Sequence, residues 1–313
     1  MYTQPQRTLA GSFTFTGKGL HTGQMLTICF SQAPAGYGYK IERTDVPGDH
    51  LIDVLAENVH ETPRGTIIDN GSVHVSTVEH ALAALYALGI DNCHIRVDGP
   101  EFPILDGSSA CYVQKMLEVG TIEQALPRMP LVIDHVTEYL DEQTGSRLRV
   151  EPAETFSIST DISFENSIIS NQHAELSSLD AFATDIAPAR TFVFVRELEP
   201  LLNQGLIRGG DLDNAIVIYE RQLPQEQYDK LADILGVPHM DATRLGFIMH
   251  RQLMWDNEPA RHKLLDVIGD LSLVGRFIQG RIIADKPGHR ANNLFARMIR
   301  QEYNLVANTS NTK

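Results

Sequence analysis

The sequence predicts an α+β fold in two domains, on three observations. At 313 residues the chain is long enough for two domains of ordinary size. Short strands punctuated by glycine are grouped apart from the helices, which favours α+β layers over a regular βαβ alternation. The segment TIEQALPRMP contains two prolines and has no hydrophobic period. We therefore place a boundary near residue 127, which gives domains 1–127 and 128–313.

Each half is predicted to contain strands first and helices afterwards. In the first half, glycine-rich strands over residues 8–58 precede a helix over 77–88, with Gly89 just past its end. A strand at NCHIRVDG and the turn PILDGSS then lead into a second helix. The second half repeats this order, and its residues 219–250 predict an insertion with a helix of its own. The halves share element order but no sequence repeat, so an internal duplication is only suggested.

Composition and charge exclude several functional classes for this protein. Hydrophobic residues make up 42% of the chain and charged residues 21%, as in globular proteins. The net charge of -14 argues against broad contact with nucleic acid or anionic lipid. Three cysteines without a CxxC motif argue against a thiolate metal site. With no leader and no run of about 18 apolar residues, we expect a soluble cytoplasmic protein without an integral membrane segment.

The stretch STVEH, residues 76–80, joins a helix start to two groups that can do chemistry. Ser76 to Glu79 fits the capping box S-x-x-E, in which each side chain satisfies the other residue's backbone N–H. Capping is the usual meaning of this spacing, and a lone histidine such as His80 is more often a packed side chain than a ligand. The pair becomes interesting only if another segment supplies complementary ligands.

The helix predicted over residues 256–275 supplies such ligands. His262 and Asp266 lie four residues apart, on the face opposite the apolar stripe. A histidine and an aspartate at this spacing can reach one metal ion, and they also fit an exposed ion pair. If His80 joins them, two imidazoles and a carboxylate leave a fourth position open for water, as catalytic zinc requires. Glu79 would then be a neighbouring carboxylate able to accept that water's proton.

A third segment, ADKPGHRANN, places His289 in a Pro-Gly turn just before a helix. Turns of this kind present side chains over a scaffold, which suits catalysis. The chain from Arg281 to Arg300 is locally basic against the acidic background. This suits an anionic ligand such as a diphosphate, although a solvated face would look similar.

Together these segments closely resemble the UDP-3-O-acyl-N-acetylglucosamine deacetylases, zinc amidases of lipid A biosynthesis. Eight motifs of that family follow in register across almost the whole chain: GKGLHTG (17–23), STVEH (76–80), GIDNCHI (89–95), PEFPILDGSS (100–109), ARTF (189–192), RGGDLDNAIV (208–217), EPARHKLLDVIGDL (258–271) and PGHRANN (287–293). One such motif alone would be a weak signal. Eight that include all three site segments are specific.

The resemblance implies a role for each site residue. The metal would be Zn2+, with Fe2+ as the alternative, and its ligands would be His80, His262 and Asp266. The catalytic residues would be Glu79 as general base, His289 as the cation that protonates the leaving amine or steadies the oxyanion, Thr191 as a donor to the carbonyl oxygen, and Asp270 as the group that orients His289. The substrate contacts would come from Lys263, Lys286, Phe192, Phe194 and Phe164.

The resemblance also implies the architecture and the partners. Two domains of similar layered sheet-and-helix architecture would pack face to face, with an insertion in each. The insertion near residues 193–215 would form a hydrophobic passage for an acyl chain, although an amphipathic helix packed on the core fits the same residues. The substrate would be a UDP-linked acylated sugar, with no nucleic acid as partner. The segment 219–250 resembles members that are fused to a 3-hydroxyacyl dehydratase.

Two other classes of protein share part of this pattern. Two histidines and a carboxylate are also the facial triad of non-haem iron oxygenases, although ligands on helices beside a glutamate fit hydrolysis better. A non-catalytic nucleotide-sugar binding protein would keep the same pocket. It would have lost a catalytic residue, and none is missing from the motifs.

Overall fold

The computed structural model describes residues 4–48, 50–60, 65–165, 168–198 and 208–306. Helices and sheets are both abundant within these ranges, and the strands form several separate sheets. The predicted α+β class is confirmed. None of the described helices is long and apolar enough to cross a membrane.

The first half of the chain contains β1 (Pro5–Leu9), β2 (Phe13–Lys18), β3 (Met25–Ser31), β4 (Tyr39–Arg43), β5 (Leu51–Asp53), β6 (Ile68–Asp69), β7 (His74–Val75), α1 (Glu79–Ala87), β8 (Cys93–Val97), α2 (Ala110–Val119) and β9 (Thr121–Pro127). Five of these strands form one sheet in the order β2-β3-β8-β4-β5. Its neighbouring strands are antiparallel except for β8 with β4.

The second half contains β10 (Leu131–Val132), β11 (Thr137–Asp141), β12 (Ser146–Glu151), β13 (Ser157–Ser163), β14 (Asn171–Leu176), α3 (Phe182–Asp185), β15 (Phe192–Phe194), β16 (Ile216–Tyr219), α4 (Gln225–Leu235), β17 (Gly246–Ile248), α5 (Glu258–Leu271), β18 (Ile278–Gln279), β19 (Arg281–Asp285) and α6 (His289–Glu302). Its five-stranded sheet has the order β11-β12-β19-β13-β14, and only β19 with β13 is parallel.

The two five-stranded sheets have the same plan. In each, a hairpin lies at either edge, and a strand from later in the chain runs between the two hairpins. A helix lies before that central strand in the sequence and another lies after it: α1 and α2 around β8, and α5 and α6 around β19. The likeness in element order therefore extends to sheet topology, which supports an internal duplication.

The segment in which the domain boundary is predicted, residues 121–130, is a strand in its first part. Residues 121–127 form β9, which pairs antiparallel with β1. Alternation is hard to recognise in this strand because nearly all of its side chains are exposed. Strand partners change directly afterwards, since β10 pairs with β18 in the second half. We propose that the domain boundary lies between β9 and β10.

One apolar core joins the two sheets and their helices. It includes Ile41 of the first sheet, Leu82 of α1, Leu264 of α5 and Ile282 of the second sheet, all fully buried. Each such side chain stabilises the fold by about 1.5–3 kcal/mol relative to an exposed position. α1 packs directly on α5, and Gly269 permits this because a Cβ there would overlap the carbonyl oxygen of Glu79. The two helices that contain half of the predicted site residues are thereby held in contact.

The helix predicted within residues 219–250 is confirmed as α4. It begins after Pro224 and ends at Gly236, whose φ of 68° is in the left-handed region. Its buried side chains pack with β16 in a second apolar cluster. Of the passage predicted near residues 193–215, residues 199–207 lie outside the described residues, and 195–198 are helical and join the same cluster.

Candidate metal centre

The start of α1 differs from the predicted capping box. The helix begins at Glu79, and Thr77 turns the chain into it with a left-handed φ of 59°. The hydroxyl of Ser76 donates to the carbonyl oxygen of Pro100 at 3.3 Å, and the Glu79 carboxylate accepts from the backbone N–H of Thr66 at 3.1 Å. The capping prediction is therefore wrong. Because Glu79 does not cap its own helix, its carboxylate is available to a cavity that it lines.

The structure brings His80, His262 and Asp266 together. One potential ligand atom from each side chain lies within 4.8 Å of the others, and all three side chains are buried. Asp266 Oδ1 lies 3.8 Å from His80 Nε2 and 3.4 Å from His262 Nε2. Among the described residues, no other His, Cys, Asp and Glu side chains form such a group.

The two histidines are neutral, and Nε2 of each lies near Asp266 Oδ1. Burial lowers the pKa of His80 to about 3, with His262 adding to the effect, and burial also lowers the pKa of His262. His262 Nδ1 donates to the carbonyl oxygen of Ala189 at 2.9 Å. That hydrogen bond fixes the tautomer and leaves Nε2 free to bind a metal.

The carboxylate of Asp266 is ionised, and one of its two oxygens has no hydrogen-bond partner among the described residues. Burial alone would raise its pKa, but nearby positive charge, mainly that of Lys263, outweighs burial and holds the pKa well below its usual range. Lys263 Nζ donates to Oδ2 at 2.8 Å, whereas the buried Oδ1 has no hydrogen-bond partner among the described residues. A buried charged oxygen without a partner is costly. Its position beside two neutral imidazoles therefore fits a divalent cation.

Glu79 lies beside the three candidate ligands. Burial raises its pKa to about 7, with His289 opposing the rise and Asp266 adding to it. A carboxylate with this pKa can accept a proton and return it at neutral pH. Gly65 keeps space beside it, because a Cβ at that position would lie 2.9 Å from Glu79 Oε1.

His289, the first residue of α6, faces Glu79 and Asp266 across the cavity. Its Nε2 lies 3.9 Å from Glu79 Oε1 and 3.8 Å from Asp266 Oδ2, and its Nδ1 donates to Asp270 Oδ2 at 2.9 Å. Burial lowers the pKa of His289, but Asp270 and Asp266 outweigh burial and raise the pKa to about 9. The side chain is therefore an imidazolium at neutral pH, held in orientation by Asp270.

Thr66 links Glu79 to Asp270, the residue that orients His289. The sequence did not indicate Thr66 as a site residue. Its backbone N–H donates to Glu79, its hydroxyl donates to Asp270 Oδ1, and the same hydroxyl accepts from Asn293 Nδ2 at 3.1 Å. Asn292 Nδ2 also donates to Asp270, at 2.9 Å from Oδ2. The two asparagines lie in the PGHRANN motif, which could have indicated them. Nothing in the sequence around Thr66 marks it.

Most of the predicted substrate contacts line the same cavity, which has a volume of about 390 Å³. Phe164, Phe192 and Phe194 form an edge-to-face cluster with ring centroids 4.8–6.0 Å apart. Lys263 Nζ lies 5.6 Å from the centroid of the Phe192 ring. Thr191 is held in the wall because its backbone N–H donates to the Gly107 carbonyl oxygen at 2.8 Å.

Part of the basic segment from Arg281 to Arg300 is used to hold the fold together. Arg297 donates to backbone carbonyl oxygens of residues 56 and 59, and Arg300 is buried in an ion pair with Glu57. Both side chains therefore link α6 to residues 56–59: Arg300 through an ion pair, and Arg297 through hydrogen bonds to backbone carbonyl oxygens. Lys286 is exposed and does not line the cavity, whereas Arg290 does, with its guanidinium 2.6 Å from Asp141 Oδ2.

Comparison with known proteins identifies the family. A family model described as UDP-3-O-acyl N-acetylglycosamine deacetylase matches residues 6–233 and 242–301. The chain belongs to this family. The resemblance inferred from the eight motifs is thus confirmed.

Curated relatives fall into two kinds. "Bifunctional enzyme LpxC/FabZ" of Bacteroides thetaiotaomicron is 58% identical over 300 residues, which cover 96% of this chain and 65% of that protein. The protein of the same name from Porphyromonas gingivalis is 52% identical, with 96% and 65% covered. "UDP-3-O-acyl-N-acetylglucosamine deacetylase" of Anaeromyxobacter sp. is 38% identical over 94% of this chain and 88% of that protein. The chain thus spans about 65% of the length of the two bifunctional relatives.

Proposed function

We propose that the chain is a metal-dependent amidase. It removes the N-acetyl group from a UDP-3-O-(hydroxyacyl)-N-acetylglucosamine and releases acetate, as a step of lipid A biosynthesis. The observation that carries the proposal is the convergence of His80, His262 and Asp266 on one point, with Glu79 and His289 beside it. Membership of the deacetylase family and the names of the relatives support the same reaction.

The ligand set suits Zn2+, and Fe2+ is the alternative. Two imidazoles and one carboxylate leave room for further ligands, as in catalytic zinc sites. When bound, such a cation lowers the pKa of water to about 7 and polarises a carbonyl group. The chemistry then depends on the side chains around it.

Glu79 would accept the proton of the water that adds to the acetamide carbonyl carbon. Its pKa of about 7 suits this task at neutral pH. As the carbonyl oxygen gains negative charge, the hydroxyl of Thr191 and the imidazolium of His289 would stabilise it. The C–N bond then breaks, the amine leaves with a proton from His289 or from Glu79, and acetate is released. Donors positioned in this way contribute about 10²- to 10³-fold in rate each.

Asp270 would keep His289 cationic and correctly turned, through the hydrogen bond at 2.9 Å. Lys263 and the three phenylalanines would contact the substrate, since they line the cavity next to the ligands. A role of Lys286 at the diphosphate stays a prediction. So do the cytoplasmic location and the fusion to a 3-hydroxyacyl dehydratase, which the bifunctional relatives favour.

The test is acetate release from a UDP-3-O-acyl-N-acetylglucosamine by the purified protein, before and after chelation and after addition of Zn2+ or Fe2+. We expect turnover to disappear with the metal and to return with one of the two ions. Unchanged turnover in the chelated, metal-free protein would contradict the proposal. Turnover that required oxygen and 2-oxoglutarate would favour an oxygenase, and metal-independent substrate binding without hydrolysis would favour a nucleotide-sugar binding protein.

A further inference from the structure

A second cavity, of about 160 Å³, adjoins the metal cavity. The two share Leu20, His21, Thr191 and Phe192 in their walls, so a molecule bound at the metal centre can extend from one into the other. Away from the shared residues, most of the wall is aliphatic side chain from β15, β16 and α4. The proposed substrate has one part that suits such a surface, its acyl chain.

The main charged group in the second cavity is already satisfied. Asp211 Oδ1 accepts hydrogen bonds from the backbone N–H groups of Asp213 at 2.9 Å and Asn214 at 3.1 Å. Such a carboxylate closes its own turn and does not require a cation from a ligand. The remaining surface therefore favours a hydrocarbon occupant.

α4 supplies three side chains to this cavity: Leu231, Ile234 and Leu235. At positions i, i+3 and i+4 they share one face of the helix. Tyr228 holds α4 against β16, because its ring centroid lies 5.0 Å from that of Tyr219. The hydroxyl of Tyr219 in turn donates to the carbonyl oxygen of residue 242 at 2.8 Å. The wall that α4 provides is therefore anchored rather than loosely attached.

Ile234 stands out among these three side chains. It lines the cavity and is nevertheless 64% exposed, whereas Leu231 is buried in the second apolar cluster. An aliphatic side chain at the open end of an apolar pocket gains stabilisation only when an occupant covers it. The match to the family model is interrupted at residues 234–241, so this end of α4 lies outside the pattern that the model matches.

We propose that α4 forms one wall of the pocket for the acyl chain and that Ile234 determines which chain lengths are preferred. The inference rests on the proposed function, because it concerns the acyl group of the same substrate. It assigns a role to the segment 219–250, which inserts α4 between β16 and β17. An acyl chain long enough to reach α4 covers Ile234, and a shorter chain leaves it exposed.

The experiment measures kcat/KM for the metal-loaded protein with UDP-3-O-acyl-N-acetylglucosamines whose chains lengthen two carbons at a time. For the unmodified chain we expect kcat/KM to rise about fourfold per methylene until the acyl chain reaches α4, and to level off beyond. Ile234→Ala should lower kcat/KM about fourfold for chains that reach α4, with the loss shrinking as chains shorten. Ile234→Trp should move the optimum to shorter chains.

Asp233→Ala is the matched control, because Asp233 lies on the opposite face of the same helix, pairs with His239 and does not line the cavity. Its chain-length profile should superimpose on that of the unmodified protein. Suppose that the unmodified protein is active but that both Ile234 variants keep its dependence of kcat/KM on chain length, or lose the same factor at every chain length. The role of α4 is then overturned, and the proposed function is not. No acetate from any chain length with the unmodified, metal-loaded protein overturns the proposed function and this inference with it.

Discussion

The two five-stranded sheets are equal in plan but unequal in chemistry. Both insert a late strand between two hairpins, and both pack helices before and after that strand. Yet α1 contributes Glu79 and His80 from its first turn, and α5 contributes His262 and Asp266 from its middle. α6 begins with His289, whereas no described residue of α2, its counterpart, lines the metal cavity.

The contact between α1 and α5 explains how two similar halves can form one site. The equivalent helices α1 and α5 pack against each other, so each unit presents side chains to the other without a long loop. Gly269 allows the start of α1 to lie against α5. The shared plan thus fixes the distance between the halves. The functional side chains differ between the halves at a few positions along the contact of α1 with α5.

The largest expected effect comes from removing His80, the candidate metal ligand that α1 contributes. His80→Ala should lose its bound metal on dialysis, and turnover should fall by more than about 10⁴-fold, because without the cation Glu79 has no activated water to deprotonate. His289→Ala should keep its metal. Metal analysis and acetate release measure both, and His94→Ala on β8 is the control. Equal metal content in all three variants would break the division of roles between α1 and α6.

Glu79→Gln should have the next largest effect. The amide oxygen can keep the hydrogen bond from the Thr66 N–H, but it cannot accept a proton at neutral pH. We expect kcat to fall by about 10²- to 10⁴-fold with the metal content unchanged. Turnover at the original rate in a metal-loaded Glu79→Gln variant would remove the assignment of Glu79 as base.

Thr66→Val tests the link that Thr66 makes between Glu79 in the first half of the chain and Asp270 in the second half. It removes the hydroxyl that donates to Asp270 and accepts from Asn293, while the backbone N–H to Glu79 remains. We expect a loss of about 10- to 100-fold in kcat, as for other residues that orient a site group. Thr160→Val is the matched control, because Thr160 is buried and its hydroxyl has no partner among the described residues. Equal losses in the two variants would show a general packing effect instead.

The smallest expected effect concerns the helix contact itself. Gly269→Ala should lower the free energy of unfolding by about 1–3 kcal/mol, because its Cβ must push α1 away from α5. Thermal or denaturant unfolding measures this change. Gly246→Ala, where a Cβ meets nothing within 4 Å, should leave stability nearly unchanged. If the two variants unfold alike, the close approach of α1 and α5 is not what limits this interface.

Much of the site could be predicted because its residues occur at informative spacings. The i, i+4 pair His262 and Asp266 follows helical periodicity, and STVEH and PGHRANN are short motifs that include their functional side chains. Thr66 could not be found in this way. It reaches Asp270 across 204 positions of chain, and only tertiary packing creates that contact.

The errors have a common physical cause. Ser76 and Glu79 have the spacing of a capping box, but tertiary partners at Pro100 and Thr66 take both side chains. In the same way, Arg297 and Arg300 contribute positive charge to the sequence, but in the fold Arg300 pairs with Glu57 and Arg297 donates to backbone carbonyl oxygens. Local patterns predict which groups are present, and long-range packing decides which of them remain free.

The late central strand has a consequence for how the molecule forms. β19 must enter between β12 and β13, which leave the ribosome long before it, so the second sheet stays split until residues 281–285 emerge. His289 follows only after this gap closes. Pairings between such distant segments are slow to form. We therefore expect the metal centre to assemble as one of the last events in folding. A nascent chain that binds a cation earlier does so without His289.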